Sequence, residues 1–213
     1  MRPDMPAAAQ RDPAQFARGT MGGRGYCLAM KSHRVPASLA LIVLAAVGLA
    51  ACASLTAGPV GNRSVPQPVK PVDLKHYVGL WYELARYENR FERNCEAVTA
   101  EYRTRPDGMI EVVNSCRKGA VGGPLTVAKG RAKVVAQSQD AKLKVSFFGP
   151  FFGDYWVLDH ADDYSWSIVG EPSGRYLWIL TREAHPSAVL REKLEDRVRQ
   201  LGYDTDLLRR TAH

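Results

Sequence analysis

Between Leu74 and Arg182 apolar and polar residues alternate in short runs cut by Gly, Pro, Asp and Asn, the period-two pattern of strands with one buried face. The pattern predicts eight strands, at Leu80–Tyr87, Ala97–Arg105, Met109–Cys116, Thr126–Val135, Ala141–Phe147, Asp154–His160, Tyr164–Gly170 and Arg175–Arg182. Pro106-Asp107-Gly108, Gln139-Asp140 and Ala161-Asp162-Asp163 read as tight turns between them. Strands so evenly spaced predict an all-β fold, an eight-stranded antiparallel up-and-down barrel, because closure removes free sheet edges. From Pro186 to Leu201 the period changes to that of a helix, with Val189, Leu190, Leu194, Val198 and Leu201 on one stripe. Gly202 suits its end, and the helix is expected to pack on the barrel's outer wall.

Alternation also sorts the two faces of each strand. Lys129, Arg131 and Lys133 share one face of the fourth strand, so Ala128, Gly130 and Ala132 point inward. By the same parity Leu143, Val145 and Phe147 of the fifth strand and Ala100 and Tyr102 of the second line the interior, as does Trp178 of the last. The small residues at 128, 130 and 132 leave space rather than fill it, but alternation alone fits a solid barrel as well as a hollow one. Phe148, Phe151 and Phe152, around Gly149-Pro150, fall at the end where the longer connections gather, either exposed at a rim or packed into the core.

Gly79-Leu80-Trp81-Tyr82-Glu83 opens the first strand, and Tyr176-Leu177-Trp178-Ile179-Leu180-Thr181-Arg182 closes the last on a lone cation. Pairing first strand with last brings Trp81 and Arg182 together, where a guanidinium stacked on an indole caps one end for roughly 0.5–2 kcal/mol. Gly79, Trp81 and Arg182 resemble the first and third signature motifs of the lipocalins. The flanking segments Tyr87–Arg93 and Lys144–Phe152 narrow this to the bacterial outer-membrane lipocalins, with apolipoprotein D-like proteins more distant. The resemblance covers residues 74–208. It implies a hollow barrel that binds lipids such as fatty acids or lysophospholipids at the inward residues named above, with no cofactor or metal.

Two cysteines of the domain, Cys95 and Cys116, lie symmetrically about the turn at 106–108, a register that places them near each other. A disulfide is expected, two free thiols being the alternative. Ahead of the domain, Lys31 and Arg34 precede an uncharged stretch, Val35–Ala51, too short for a spanning helix and suited to a signal peptide. Leu49-Ala50-Ala51-Cys52 looks like a bacterial lipobox, with Cys52 as the lipidated residue; a retained anchor with a chance cysteine is the alternative. Ala53 rather than Asp after it implies the outer membrane, by the sorting rule of bacterial lipoproteins, and hence its periplasmic face. The expected organisation is an unstructured extension at 1–29 (upstream of a start at Met30), a signal peptide at 30–51, a lipidated flexible tether at 52–73 and the barrel domain at 74–213.

The net charge of +7 is unevenly spread. Six Lys/Arg and two Asp/Glu precede Cys52, so 23 basic against 20 acidic residues remain, net +3. With no basic cluster interleaved with aromatics, nucleic-acid binding is excluded. No nucleophile motif, phosphate loop or metal-spaced histidine set occurs, so a binding protein is expected rather than an enzyme. A structural or partner-binding envelope lipoprotein is the second reading and a lipid-modifying enzyme the third. The residues leave the oligomeric state open, a homodimer included.

Overall fold

A computed structural model describes residues 58–213. The expected extension, signal peptide and Cys52 lie outside the described residues. Strands β1 (Gly79–Tyr87), β2 (Cys95–Thr104), β3 (Ile110–Lys118), β4 (Leu125–Val134), β5 (Lys142–Phe148), β6 (Phe151–His160), β7 (Trp166–Gly170) and β8 (Leu177–Thr181) follow one another antiparallel. β1 pairs with both β2 and β8, so the sheet closes into the expected eight-stranded barrel.

Two elements escaped the pattern. A single helical turn, α1 (Leu74–Tyr77), precedes β1, with Asp73 accepting from the Lys75 N–H as its N-cap. A ninth short strand, β9 (Leu208–Arg210), lies antiparallel on β1. Only residues 79–82 of β1 pair with β2; β9 takes up residues 85–87 beyond them. The C-terminal segment then bonds to the start of β2, through Ala97 N–H to the Ala212 carbonyl and Arg209 to the Cys95 carbonyl. It thereby fills a gap that two strands leave as they diverge.

Helix α2 (Ala188–Gln200) is capped by Ser187, whose hydroxyl accepts from the Leu190 N–H. Leu194 and Val198 are fully buried against Leu84, Ile168 and Ile179 on the outer wall. Val189, expected on that stripe, is 78% exposed. It sits about 100° from Leu190 around the helix, whereas 190, 194, 198 and 201 follow the i, i+4, i+8, i+11 row. Past the Leu201 cap, Gly202 has φ of +86°, the left-handed position that ends helices.

Of the segment expected as a lipidated flexible tether, residues 58–72 are bound to the barrel. Gly61 N–H donates to the Gly174 carbonyl, Asn62 Nδ2 to the Leu201 carbonyl and Val72 N–H to the Gln139 carbonyl. Residues 58–72 therefore run down the outside of the barrel and turn under it into α1. Apolar residues and Pro spaced through this stretch, such as Val65 and Val72, give it something to bury.

Candidate functional site

The barrel is closed below and open above, and each end follows from local chemistry. At the floor the Arg182 guanidinium lies 3.7 Å from the Trp81 ring centroid. It donates to the Leu80, His76 and Val78 carbonyls, and Trp81 Nε1 donates to the Tyr77 carbonyl. The planar fork of Arg thus collects carbonyls that α1 and its exit leave without partners. Gly79 enters β1 at φ +101°, and a Cβ there would sit 3.3 Å from the Arg182 guanidinium. Glycine is required at this position both by its backbone and by its neighbour.

Above the floor the lumen is filled by phenols. The Tyr77 hydroxyl lies 2.9 Å from that of Tyr155 and 3.0 Å from the Ser167 hydroxyl, and those of Tyr102 and Tyr155 are 3.0 Å apart. Burial pushes Tyr77 up to about 12 and raises Tyr102 and Tyr155 well above the ordinary phenol range, so all three stay neutral. Ile110, Val112, Ala132, Leu143 and Val145 wall this region, and the space left among them is about 10 Å³, room for roughly one water.

Toward the mouth the lumen loosens. Asn114, Gly130, Val145, Phe147 and Trp178 are half-buried and Ala128 is exposed, although the register places Asn114, Gly130 and Ala128 on the face that carries buried Ala100 and Ala132. Gly130 does not leave the space its size suggests. A Cβ there would lie 2.8 Å from the Phe147 ring and 2.7 Å from the Ser146 carbonyl, so Phe147 occupies it.

A charged group that alternation did not reveal sits at this upper level. Glu83 and Arg86 are buried and bonded, 2.6 Å from Oε1 to Nη1. A bulge between Glu83 and Ala85 shifts the register so that Arg86 comes opposite Trp178 and also faces inward. Arg86 further engages Glu88 and the Glu92 carbonyl, while Trp178 Nε1 donates to the Glu92 carboxylate at 3.0 Å. Thr211 joins from the C-terminal segment, its hydroxyl bonded to Glu83. Burial and the nearby Glu92 charge raise Glu83 to about 7, against the pull of Arg86. Arg86 Nε and Asn114 Oδ1 are buried with no hydrogen-bond partner among the described residues. The only sequence clue was charge at two positions of an otherwise apolar strand.

Each expected site residue has its place in this picture. Ala100, Tyr102, Ala132 and Leu143 belong to the packed lumen, Val145 and Phe147 border it, and Ala128, Gly130 and Trp178 face the open part. Cys95 and Cys116 form the expected disulfide, Cα atoms 5.5 Å apart. Of the rim phenylalanines, Phe148 and Phe151 are exposed, while Phe152 is half-buried with Lys133 4.7 Å over its ring. A cleft of about 530 Å³ lies outside the barrel between α2 and β6, lined by charged residues such as Glu192, Lys193 and Arg197, with no convergent group to orient a ligand.

A closed antiparallel barrel, plugged by a Trp–Arg cap and flanked by one C-terminal helix, defines a calyx-type fold. Residues 72–213 match the lipocalin-like domain family, and the chain belongs to the lipocalins. It is 39% identical over 164 residues to the outer membrane lipoprotein Blc of Vibrio cholerae, covering 76% of this chain and 95% of that one. With the Escherichia coli K12 protein of the same name the identity is 38% over 162 residues, covering 75% and 87%. Mouse apolipoprotein D is 32% identical over 123 residues, 56% of this chain and 61% of that one. Among solved structures, insecticyanin from the tobacco hornworm superposes with a TM-score of 0.58 at 19% identity, covering 73% of this chain and 88% of that one.

Proposed function

We propose that this lipocalin is a lipid-anchored envelope protein, held at the periplasmic face of the outer membrane through Cys52, that takes up fatty acids or lysophospholipids through the open end of its barrel. It acts by binding, storing or carrying them, not by chemical conversion. The observation that carries the reading is the contrast inside the lumen. Below, three phenols bonded through Tyr155 leave almost no space; above, inward residues remain accessible beside a buried donor and a buried acceptor without hydrogen-bond partners among the described residues. The acyl chain would bury itself against Trp178, Phe147 and Ala128, gaining about 25 cal/mol per Å² of apolar surface. Arg86 Nε and Asn114 Oδ1 would meet its polar end. The names of the Blc relatives support the anchor and the membrane.

Tryptophan fluorescence tests it. Oleate or lysophosphatidylcholine should change the emission of delipidated protein, and Trp178→Ala should remove much of that change. Ala128→Trp, at an inward but accessible position, should weaken binding about tenfold without loss of stability. Ala132→Trp is not a fair block, since Ala132 is buried against a space too small for an indole. The packed lower lumen favours one rival, a structural or partner-binding envelope lipoprotein. That reading takes over if neither lipid binds at high micromolar concentration.

A further inference from the structure

The proposed function leaves unused a set of exposed apolar residues among the described ones, and most of them gather at one end of the barrel. Of nine exposed large hydrophobics among the described residues, six (Phe91, Val121, Leu125, Val127, Phe148 and Phe151) lie at the barrel's open end. They include every exposed phenylalanine among the described residues. Phe148 and Phe151 are 80% and 78% exposed and pair across a two-residue turn, Gly149-Pro150, with Gly149 at φ +50°. The sequence suggested a longer connection there. The observed hairpin instead projects two aromatic rings side by side from the end of β5 and β6. Exposed apolar surface gathered at one end marks a contact, and aromatic rings favour the interface between lipid and water.

Charge agrees. The mouth carboxylates Glu88, Glu92 and Glu96 are already engaged by Arg86 and Arg209. Arg90 and Arg93 in the β1–β2 loop and Arg117 at the end of β3 are left exposed, as are Lys129 and Arg131 on upper β4. An apolar tip ringed by cations fits a bilayer that contains anionic lipid.

The chain's own path agrees as well. Gly58, the first described residue, accepts a hydrogen bond from Arg175 and lies beside Glu88, and Gly61 is bonded to Gly174. Arg175 and Gly174 adjoin the β7–β8 turn and Glu88 follows β1, all at the mouth. Gly58 is only six positions after Cys52, a reach of at most about 20 Å. A lipid on Cys52 therefore emerges at the open end, not the capped one.

We propose that the open end of the barrel faces the bilayer that carries the anchor, with the Phe148–Phe151 hairpin inserted as a wedge. The orientation rests on the lipid-anchor reading; the insertion rests on the hairpin. Its consequence is a route in which a single-chain lipid moves from membrane to lumen without crossing bulk water.

The test uses the full-length protein reconstituted in vesicles of phosphatidylethanolamine with a minority of phosphatidylglycerol, a fraction of the acyl chains brominated to quench tryptophan. Phe151→Trp should add emission that is quenched several-fold more than the emission added by Val189→Trp, an equally exposed position on α2. In the unanchored Cys52→Ser chain, replacing Phe148 and Phe151 together by Ser should weaken vesicle binding about tenfold or more. Equal quenching at the two tryptophans overturns the proposal. So does a mouth covered by a second copy, seen as a dimer that Phe148→Ser with Phe151→Ser dissociates while Phe151→Trp stays unquenched. The two readings fail separately. Acylated Cys52 with an unquenched Phe151→Trp sinks the wedge and leaves the anchor, whereas a quenched Phe151→Trp with no acyl mass on Cys52 does the reverse.

Discussion

Arg182 joins three roles in one side chain: it covers the Trp81 ring, fills the space that a side chain at Gly79 would need, and binds carbonyls at the end of α1 and just beyond it. Removing either ring or guanidinium by Arg182→Ala or Trp81→Ala should destabilise the barrel, and a double-mutant cycle read by urea unfolding should give a coupling of roughly 0.5–2 kcal/mol. Arg182→Lys should recover little, because an ammonium has no plane to stack and no fork to spread over several carbonyls. Inside the mouth Glu83 makes a pH-dependent contribution whose sign is opposite to that of an ordinary paired carboxylate. Its folded pKa of about 7 stands above the ordinary 4.5 of a glutamate, because burial and Glu92 outweigh Arg86. The folded state then binds more protons than the unfolded one between those values, so stability should fall as pH rises from about 4.5 to 7, by up to roughly 3 kcal/mol. Glu83→Gln, which mimics the protonated acid, should flatten this slope in urea titrations at several pH values. A slope that persists in the variant would assign the effect to another group.

Among the elements, β2 and β3 are held twice at the mouth, by their ladder and by the Cys95–Cys116 bridge. The bridge spans 21 positions, for which chain entropy predicts a contribution of about 3 kcal/mol. Cys95→Ser with Cys116→Ser should lower the urea midpoint accordingly with the barrel still formed, while non-reducing peptide mapping of the native chain should recover the linked pair. All eight strands were legible, within a few residues at each end, because one face of each is buried and period two records it. β9 was not legible. Leu208-Arg209-Arg210 is too short to show a period; its place follows from the gap that β1 and β2 open at the top, which no local pattern encodes. α1 was missed for the same kind of reason, as a single turn made by docking under the barrel.

At the scale of the whole molecule, a barrel solid below and open above predicts a shallow site, so affinity should depend more on the mouth than on the depth of the calyx. Shortening the acyl chain should therefore cost little affinity until the chain fits within the upper lumen, and further shortening should then weaken binding steeply; a titration series of fatty acids reads this directly. The sequence by itself determined the eight barrel strands, the closure through Trp81 and Arg182, the cysteine pair and the inward parity of residues 100, 102, 128, 130, 132, 143, 145, 147 and 178. All of these are carried by period, spacing or a motif a few residues long. Only the tertiary structure decided how full the interior is. Whether small residues at 130 and 132 mean a cavity depends on side chains that arrive from other strands, and here Phe147 covers Gly130 while the phenols of Tyr77, Tyr102 and Tyr155 meet above the floor. It also decided that Arg86 points inward, since the bulge after Glu83 breaks the parity that a sequence reading must assume. Volume and register shifts are properties of several strands at once, and no single stretch of chain contains them.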